Sequence, residues 1–275
     1  MSISVPDTLT INNSDKYIVS IRLCPDGLSF AAYNPSDAGS FFYREQLFER
    51  NTSFTDNFKN AFFENEFFGY PFKRTRIVCA SSPYTLVPEK LFDPQEAARY
   101  MRFNFSVPQP KCLWNVSEEA GVAVVFGMEE KLYEFCCRSF PAPHFMHAVS
   151  PLLSYWAKAG AASLGNRMYV NLHAKRLDIF CFRQGSLLFA NTFGYEHIHD
   201  VLYYILYIWK EQDLSQLTDS LFISGTPEMR MQLTTVLRKY IRNVAPAEAP
   251  SEAYLLGSEA VYAPLDLLIV SSCEL

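Results

Sequence analysis

The sequence predicts an α/β fold made of two similar halves with mixed sheets and a small inserted α/β subdomain. Three observations lead there. Near the N-terminus, three strand-like runs are followed by a helix and a buried-looking strand, and the same order recurs far downstream. Between the copies lies a stretch with a strand and helix pattern of its own. Of the 275 residues, 49% are hydrophobic and 15% aromatic, enough for one sizeable core or two moderate ones.

In the first copy, residues 17–23, 28–33 and 41–48 read as strands, a helix is expected over 54–68, and residues 76–80 read as a buried strand. Pro25-Asp26-Gly27 punctuates the first two strands, with Pro presetting φ and Gly accepting φ > 0. Thr52-Ser53 precedes the helix and offers an N-cap hydroxyl. The aromatic run Phe62-Phe63, Phe67-Phe68, Tyr70 and Phe72 has helical spacing and reads as core facing a sheet. In the middle stretch, residues 84–88 read as a strand, and Phe92-Asp93-Pro94 opens a helix that runs to about 103. Residues 114–116 and 121–127 read as strands and 129–139 as a helix. Pro108 and Pro110 fall in a loop. After the Pro141-Ala142-Pro143 break, residues 145–149 form a further run, leading into a helix over 151–159.

The second copy repeats the first. Strands are expected over 168–173, 177–183 and 186–192, a helix over 197–211, a strand over 220–224 and a helix over 227–242. Arg183-Gln184-Gly185 marks one turn, while Ala174-Lys175-Arg176 is a turn without Gly or Pro. Thr226-Pro227 joins a capping hydroxyl to Pro at the first helical position. Residues 245–253 read as a surface loop, and the apolar 265–271 are expected to pack back onto the body. The resulting division is 1–83 for the first half, 84–150 for the insertion, and 151–275 for the second half with its tail. Two such halves facing each other are expected to form a cleft where a ligand site would lie.

Charge and cysteine content exclude several classes. The net charge of −5 leaves no basic excess for phosphates, which argues against a nucleic-acid binder. The small clusters Lys73-Arg74-Thr75-Arg76 and Arg238-Lys239-Tyr240-Ile241-Arg242 do not change that, and the second suits a helix C-terminus. No signal peptide is expected at residues 1–15, and the longest apolar run, 201–209, is too short to cross a bilayer. The 7 Cys show no C-x-x-C pair, and Cys24, Cys79 and Cys181 sit in apolar strands, as in a reducing compartment. A cytoplasmic location is expected.

With these elements in order, the chain resembles the actin-like, or duplicated ribonuclease H-like, ATPase fold of actin, hexokinases and heat-shock chaperones. It is most similar to the pilus-assembly ATPase branch, where a small subdomain follows a strand ending in a Pro-containing loop. Ile77-Val78-Cys79-Ala80-Ser81-Ser82-Pro83 occupies that place. Residues 92–103 resemble the branch's acidic helix, and 121–128 with 129–139 its strand–helix pair. The chain also resembles an uncharacterised bacterial family of this fold. The resemblance covers about residues 16–242.

The resemblance implies an Asp-x-Gly segment at the end of the first strand of each half, the Asp for Mg²⁺ and the Gly for close approach to phosphates. This chain departs from it. The first half has Arg22 and Cys24 at those places, and the second has Asn171 and His173. The adenosine-holding Gly-Gly turn survives only as Ser224-Gly225-Thr226. With both acids replaced, magnesium-dependent hydrolysis is not expected, and the sequence reads as a non-catalytic scaffold that binds a protein partner or itself, with no cofactor. The alternative is a nucleotide-binding protein, a weak ATPase or kinase, holding ATP through Arg22, Asn171, Ser224 and Gly225. No metal site is expected. His197-x-His199 and His144-x-x-His147 lack further ligands at metal spacing and read as surface or capping groups, with Asp178 and Asp200 reachable only through folding. Ser81-Ser82-Pro83 is foremost a turn.

Overall fold

The computed structural model describes residues 3–106, 110–161, 165–173 and 175–272; Pro108 and Ala174, named above as loop and turn residues, lie outside them. The first meander is β1 (Ile18–Cys24), β2 (Gly27–Tyr33) and β3 (Phe42–Leu47), followed by α1 (Phe54–Glu64) and β4 (Arg74–Cys79). The inserted elements are β5 (Tyr84–Pro88), α2 (Ala97–Asn104), β6 (Lys111–Ser117), β7 (Val122–Met128) and α3 (Glu130–Ser139). Next come β8 (His144–His147) and α4 (Val149–Ala161). The second meander is β9 (Asn166–Leu172), β10 (Arg176–Arg183) and β11 (Ser186–Gly194), followed by α5 (Ile198–Glu211), β12 (Ser220–Ser224) and α6 (Pro227–Leu237). The chain closes with β13 (Asn243–Pro246) and α7 (Leu265–Ser272).

The sheets make the duplication plain. One has the order β3-β2-β1-β4-β8 and another β11-β10-β9-β12-β13, each an antiparallel meander continued by two parallel strands. A third, smaller sheet, β5-β7-β6, belongs to the insertion. Two boundaries differ from the sequence expectation. Residues 144–147, grouped with the insertion, extend the first main sheet by pairing β8 with β4. After a helix expected over 227–242 but ending at Leu237, residues 243–246, the last two of which were expected to open a surface loop over 245–253, form β13 beside β12, a strand hidden in the sequence by its brevity and terminal Pro246.

The local signals work largely as chemistry requires. Ser53 Oγ accepts the Asp56 N–H at 3.1 Å and caps α1, and Thr226 Oγ1 accepts the Met229 N–H at 3.4 Å with Pro227 opening α6. Gln184 and Gly185 both have positive φ, 50° and 81°, and close a two-residue hairpin between β10 and β11. Gly27 serves a different need from the expected one. It is absent from the glycines with positive φ, but a Cβ there would stand 2.1 Å from the Gln46 carbonyl oxygen of β3.

The chain divides into two compact units. The first runs through Val116, resumes over Val122–Pro151, and takes in the chain from Pro250 onward; the second is Ser117–Gly121 and Leu152–Ala249. Thus the C-terminal tail, grouped with the second half by sequence order, belongs to the first unit. In that unit, Val19, Ile21, Phe30, Ile77 and Phe58 of α1 share one buried cluster with Phe67, Phe68 and Phe135 of α3. Phe63 alone of the expected aromatic core run is 74% exposed. In the second unit, Val170, Ile179 and Ile223 pack on Val201 and Ile205 of α5 and Leu233 of α6. Its other sheet face takes Trp156 of α4, whose ring stacks on Tyr169 at 4.7 Å and meets Phe180 edge-on at 5.0 Å. α4 thus packs on the second unit's sheet, while α7, from the far end of the chain, packs on the first unit's.

Candidate functional site

In the first unit, Arg22 lies on β1 beside Ser29 of β2 and Val78 of β4, on the sheet face that α7 covers. The side chain is buried, and its Nε donates to Asp266 Oδ2 at 2.7 Å. Its Nη1 reaches Cys24 Sγ at 3.0 Å. Burial penalises the guanidinium, but the charge of Asp266 and its hydrogen bond outweigh that penalty and hold Arg22 firmly protonated. Burial also raises the Cys24 thiol, with Arg22 pulling the other way without prevailing. On the neighbouring strand, Arg76 Nη1 donates to the Val270 carbonyl of α7 at 3.2 Å. All eight residues of α7 are buried. Two arginines of the sheet are thus engaged by one helix, which supplies a carboxylate and a carbonyl near its C-terminal end. Within this buried patch, Asp266 Oδ1 and Ser271 Oγ have no hydrogen-bond partner among the described residues.

In the second unit, the strand register aligns four polar residues across one sheet face: Thr192, Asp178, Asn171 and Ser224. They form a continuous chain. Thr192 Oγ1 donates to Asp178 Oδ1 at 2.7 Å, Asn171 Nδ2 to Asp178 Oδ2 at 3.1 Å, and Ser224 Oγ to Asn171 Oδ1 at 2.7 Å. His173 Nε2, just beyond β9, lies 2.8 Å from Asp178 Oδ2. Burial pushes the Asp178 carboxyl up, but the charge of His173 and hydrogen bonds from His173, Thr192 and Asn171 prevail and lower it to about 2. Gly225 follows Ser224 with φ 137°, and a Cβ there would fall 2.9 Å from Leu172 Cβ. Only a residue without a side chain lets the backbone pass so close to the end of β9.

Asn171, Ser224 and Gly225 are therefore brought together in one unit, while Arg22 lies in the other. Asp178 and Asp266 were missed as site residues. Each is a lone acid in an apolar run, Leu177-Asp178-Ile179 and Leu265-Asp266-Leu267, which is the signal that would have found them. Asp178 restores a carboxylate beside the second Asp-x-Gly position, but both of its oxygens are already engaged. A magnesium ion needs oxygen ligands free to complete a near-octahedral shell. Among the described residues no group of three or more His, Cys, Asp or Glu could hold a metal.

Of the histidine pairs, His147 ties two backbone segments together, and the His197 backbone takes part in a helix cap. His147 Nε2 lies 3.1 Å from the Ser82 carbonyl, and its Nδ1 accepts the Val149 N–H at 3.2 Å. At the start of α5 the Asp200 carboxylate accepts the backbone N–H groups of His197 and Glu196, which lowers its pKa. A cavity of about 530 Å³ between β5 and α2, lined by Leu86, Val87, Glu96, Arg99, Tyr100 and Phe103, contains no nucleophile paired with a base. No helix among the described residues is long and apolar enough to cross a membrane.

Comparison with known proteins agrees with this architecture. A family model described as protein of unknown function (DUF3822) matches residues 6–244. No curated protein matches. Among solved structures, a Bacteroides thetaiotaomicron protein with actin-like ATPase fold and unknown function is 29% identical. That match covers 94% of this chain and 98% of the other, with a TM-score of 0.79. The fold is therefore the actin-like ATPase fold. More distant likenesses are a PilM-PilN type IV pilus biogenesis complex (13% identity, 93% and 98% covered, TM-score 0.48) and the Aquifex aeolicus Ppx/GppA phosphatase (11%, 82% and 72%, 0.40).

Proposed function

The chain belongs to the DUF3822 family, and on that premise we propose that it is a non-catalytic member of the actin-like ATPase fold, acting through protein contacts rather than through ATP hydrolysis. One observation carries this reading: Arg22, standing where a magnesium-holding acid belongs, is neutralised by Asp266 from α7. A triphosphate brings several negative charges that Mg²⁺ and its protein ligands normally offset. Here the first loop offers a guanidinium already paired with a carboxylate. The second offers Asn171 and Asp178, whose hydrogen-bonding atoms are taken up by Ser224, Thr192 and His173. Neither loop presents an open carboxylate to a metal. ATP and metal cofactors are accordingly not required.

The alternative, a nucleotide-binding protein, is favoured by one feature, the positive φ of Gly225 directly after Ser224. Isothermal titration with ATP, with and without Mg²⁺, separates the two. The scaffold reading expects no magnesium-dependent heat of binding. Tight Mg²⁺-dependent binding, or phosphate release abolished by Asn171→Ala, overturns it.

A further inference from the structure

The inserted sheet has the order β5-β7-β6, so β5 is paired on one side only. The cavity of about 530 Å³ beside it is lined by four successive residues of that strand, 85–88. Successive side chains point to opposite faces of a sheet, so a wall made of all four is the strand's edge. The facing wall is Glu96, Arg99, Tyr100, Phe103 and Asn104, one stripe along α2 and its N-cap. The walls match in length, about 13 Å for four strand residues and about 12 Å from Glu96 to Asn104. The cavity is therefore a groove between a strand edge and a helix.

Each wall carries groups suited to a ligand. The Gly127 N–H donates to the Pro83 carbonyl at 3.2 Å, and bonded pairs alternate along an antiparallel ladder. Thr85 and Val87 thus bond to β7, while the Leu86 N–H and C=O point away from it, into the groove. The Thr85 and Val87 side chains face α2: Asn104 Nδ2 donates to Thr85 Oγ1 at 3.0 Å, and Val87 clusters with Ala97 and Met101. On the helix wall the Tyr100 ring is fixed in place, its hydroxyl accepting the Asp93 N–H at 3.2 Å and donating to the Leu91 carbonyl at 3.1 Å. Phe103 is 89% exposed, more than any other large apolar side chain among the described residues. Arg99 and Glu96 pair with each other at 3.4 Å, so the groove asks for no net charge.

We infer that this groove takes an extended peptide segment of a partner protein, added to the inserted sheet as a further strand. A strand is the ligand whose own N–H and C=O match those of Leu86 in kind and spacing. Its side chains opposite Thr85 and Val87, two residues apart, are apolar and lie against Tyr100 and Phe103. A sheet edge from a second copy would bring its own α2 into the space that this helix already borders, whereas a bare segment brings nothing. The inference names where a partner docks and so rests on the protein-contact reading; ATP titration tests that reading, and peptide binding tests the groove.

The experiment pans the full chain against a phage-displayed library of random short peptides and titrates the selected ones, fluorescein-labelled, by anisotropy. Phe103→Asp is expected to weaken binding at least about tenfold, and Tyr203→Asp, at an exposed side chain of α5, to leave it unchanged. Methylating the peptide's backbone nitrogens one at a time is expected to abolish binding at alternate positions only, the signature of a strand. Thermal melting by circular dichroism checks that Phe103→Asp folds, and Phe103→Asn replaces it if it does not. Failure to select any peptide overturns the proposal, as do peptides indifferent to the Phe103 variant or a methylation pattern that does not alternate. So does a wild-type dimer in sedimentation velocity that Phe103→Asp dissolves, which would give the groove to a second copy.

Discussion

Replacing Asp266 by Asn keeps the shape of the side chain and removes the charge that Arg22 needs. The Arg22 and Asp266 side chains are 6% and 0% exposed, so water cannot take over the lost interaction. Removing one partner from a buried pair leaves an uncompensated ion, at a cost of about 3–5 kcal/mol. For a unit of this size that corresponds to a fall in melting temperature of roughly 6–20 °C, at about 2–4 °C per kcal/mol. The companion Arg22→Met/Asp266→Leu, which removes both charges and leaves an apolar patch, is expected within about 1 kcal/mol of the wild type. Urea unfolding of Arg22→Met, Asp266→Leu and the double variant completes the cycle and measures the coupling. Amide exchange should locate the loss in β1 and α7. If Asp266→Asn costs under about 1 kcal/mol, or if the single effects simply add, α7 does not secure Arg22 and the closure of the first loop falls with it.

Two further outcomes concern the second unit. Gly225→Ala forces a side chain into positive φ and against Leu172, and is expected to cost about 1–3 kcal/mol by urea unfolding; a neutral effect refutes the close-packing account. Asp178 has its folded pKa lowered to about 2 from an ordinary 3.8, so its stabilisation is complete above the unfolded value and is lost as pH falls through the folded one. About 2 kcal/mol of stability should therefore disappear between pH 4 and 2 in the wild type and not in Asp178→Asn, measured by pH-stepped urea unfolding.

The meanders and the caps at Ser53 and Thr226 were legible because each depends on neighbours in the chain, and the apolar run 265–271 pointed to burial but not to a helix. What escaped depends on contacts made across long sequence distances. Arg22 and Asp266 are 244 residues apart, and Asn171 and Ser224 are 53 apart. Replacement of the Asp-x-Gly acids could be read directly. That Asp178 would return a carboxylate to the same face, then be locked by Thr192 and His173, required the register of three strands. β13 was obscured for a different reason, four residues being too few for a period to show, whereas β8 was read as a run and only its pairing with β4 was not.

The return of α7 to the first unit also sets an order of assembly on the ribosome. The second unit's main segment, Leu152–Ala249, carries its own α4 and can close as soon as it emerges. The first unit is translated earlier yet lacks α7 until Leu265–Ser272 has been made. Roughly 100 residues separate its last internal segment from the returning tail, about 5–20 s of synthesis. Through that interval Arg22 and Arg76 stand without the helix that later accepts their protons' hydrogen bonds, and β3 without Glu259. The half made first is thus the half finished last, and premature termination after Ala249 would release a chain with a complete second unit and an open first one.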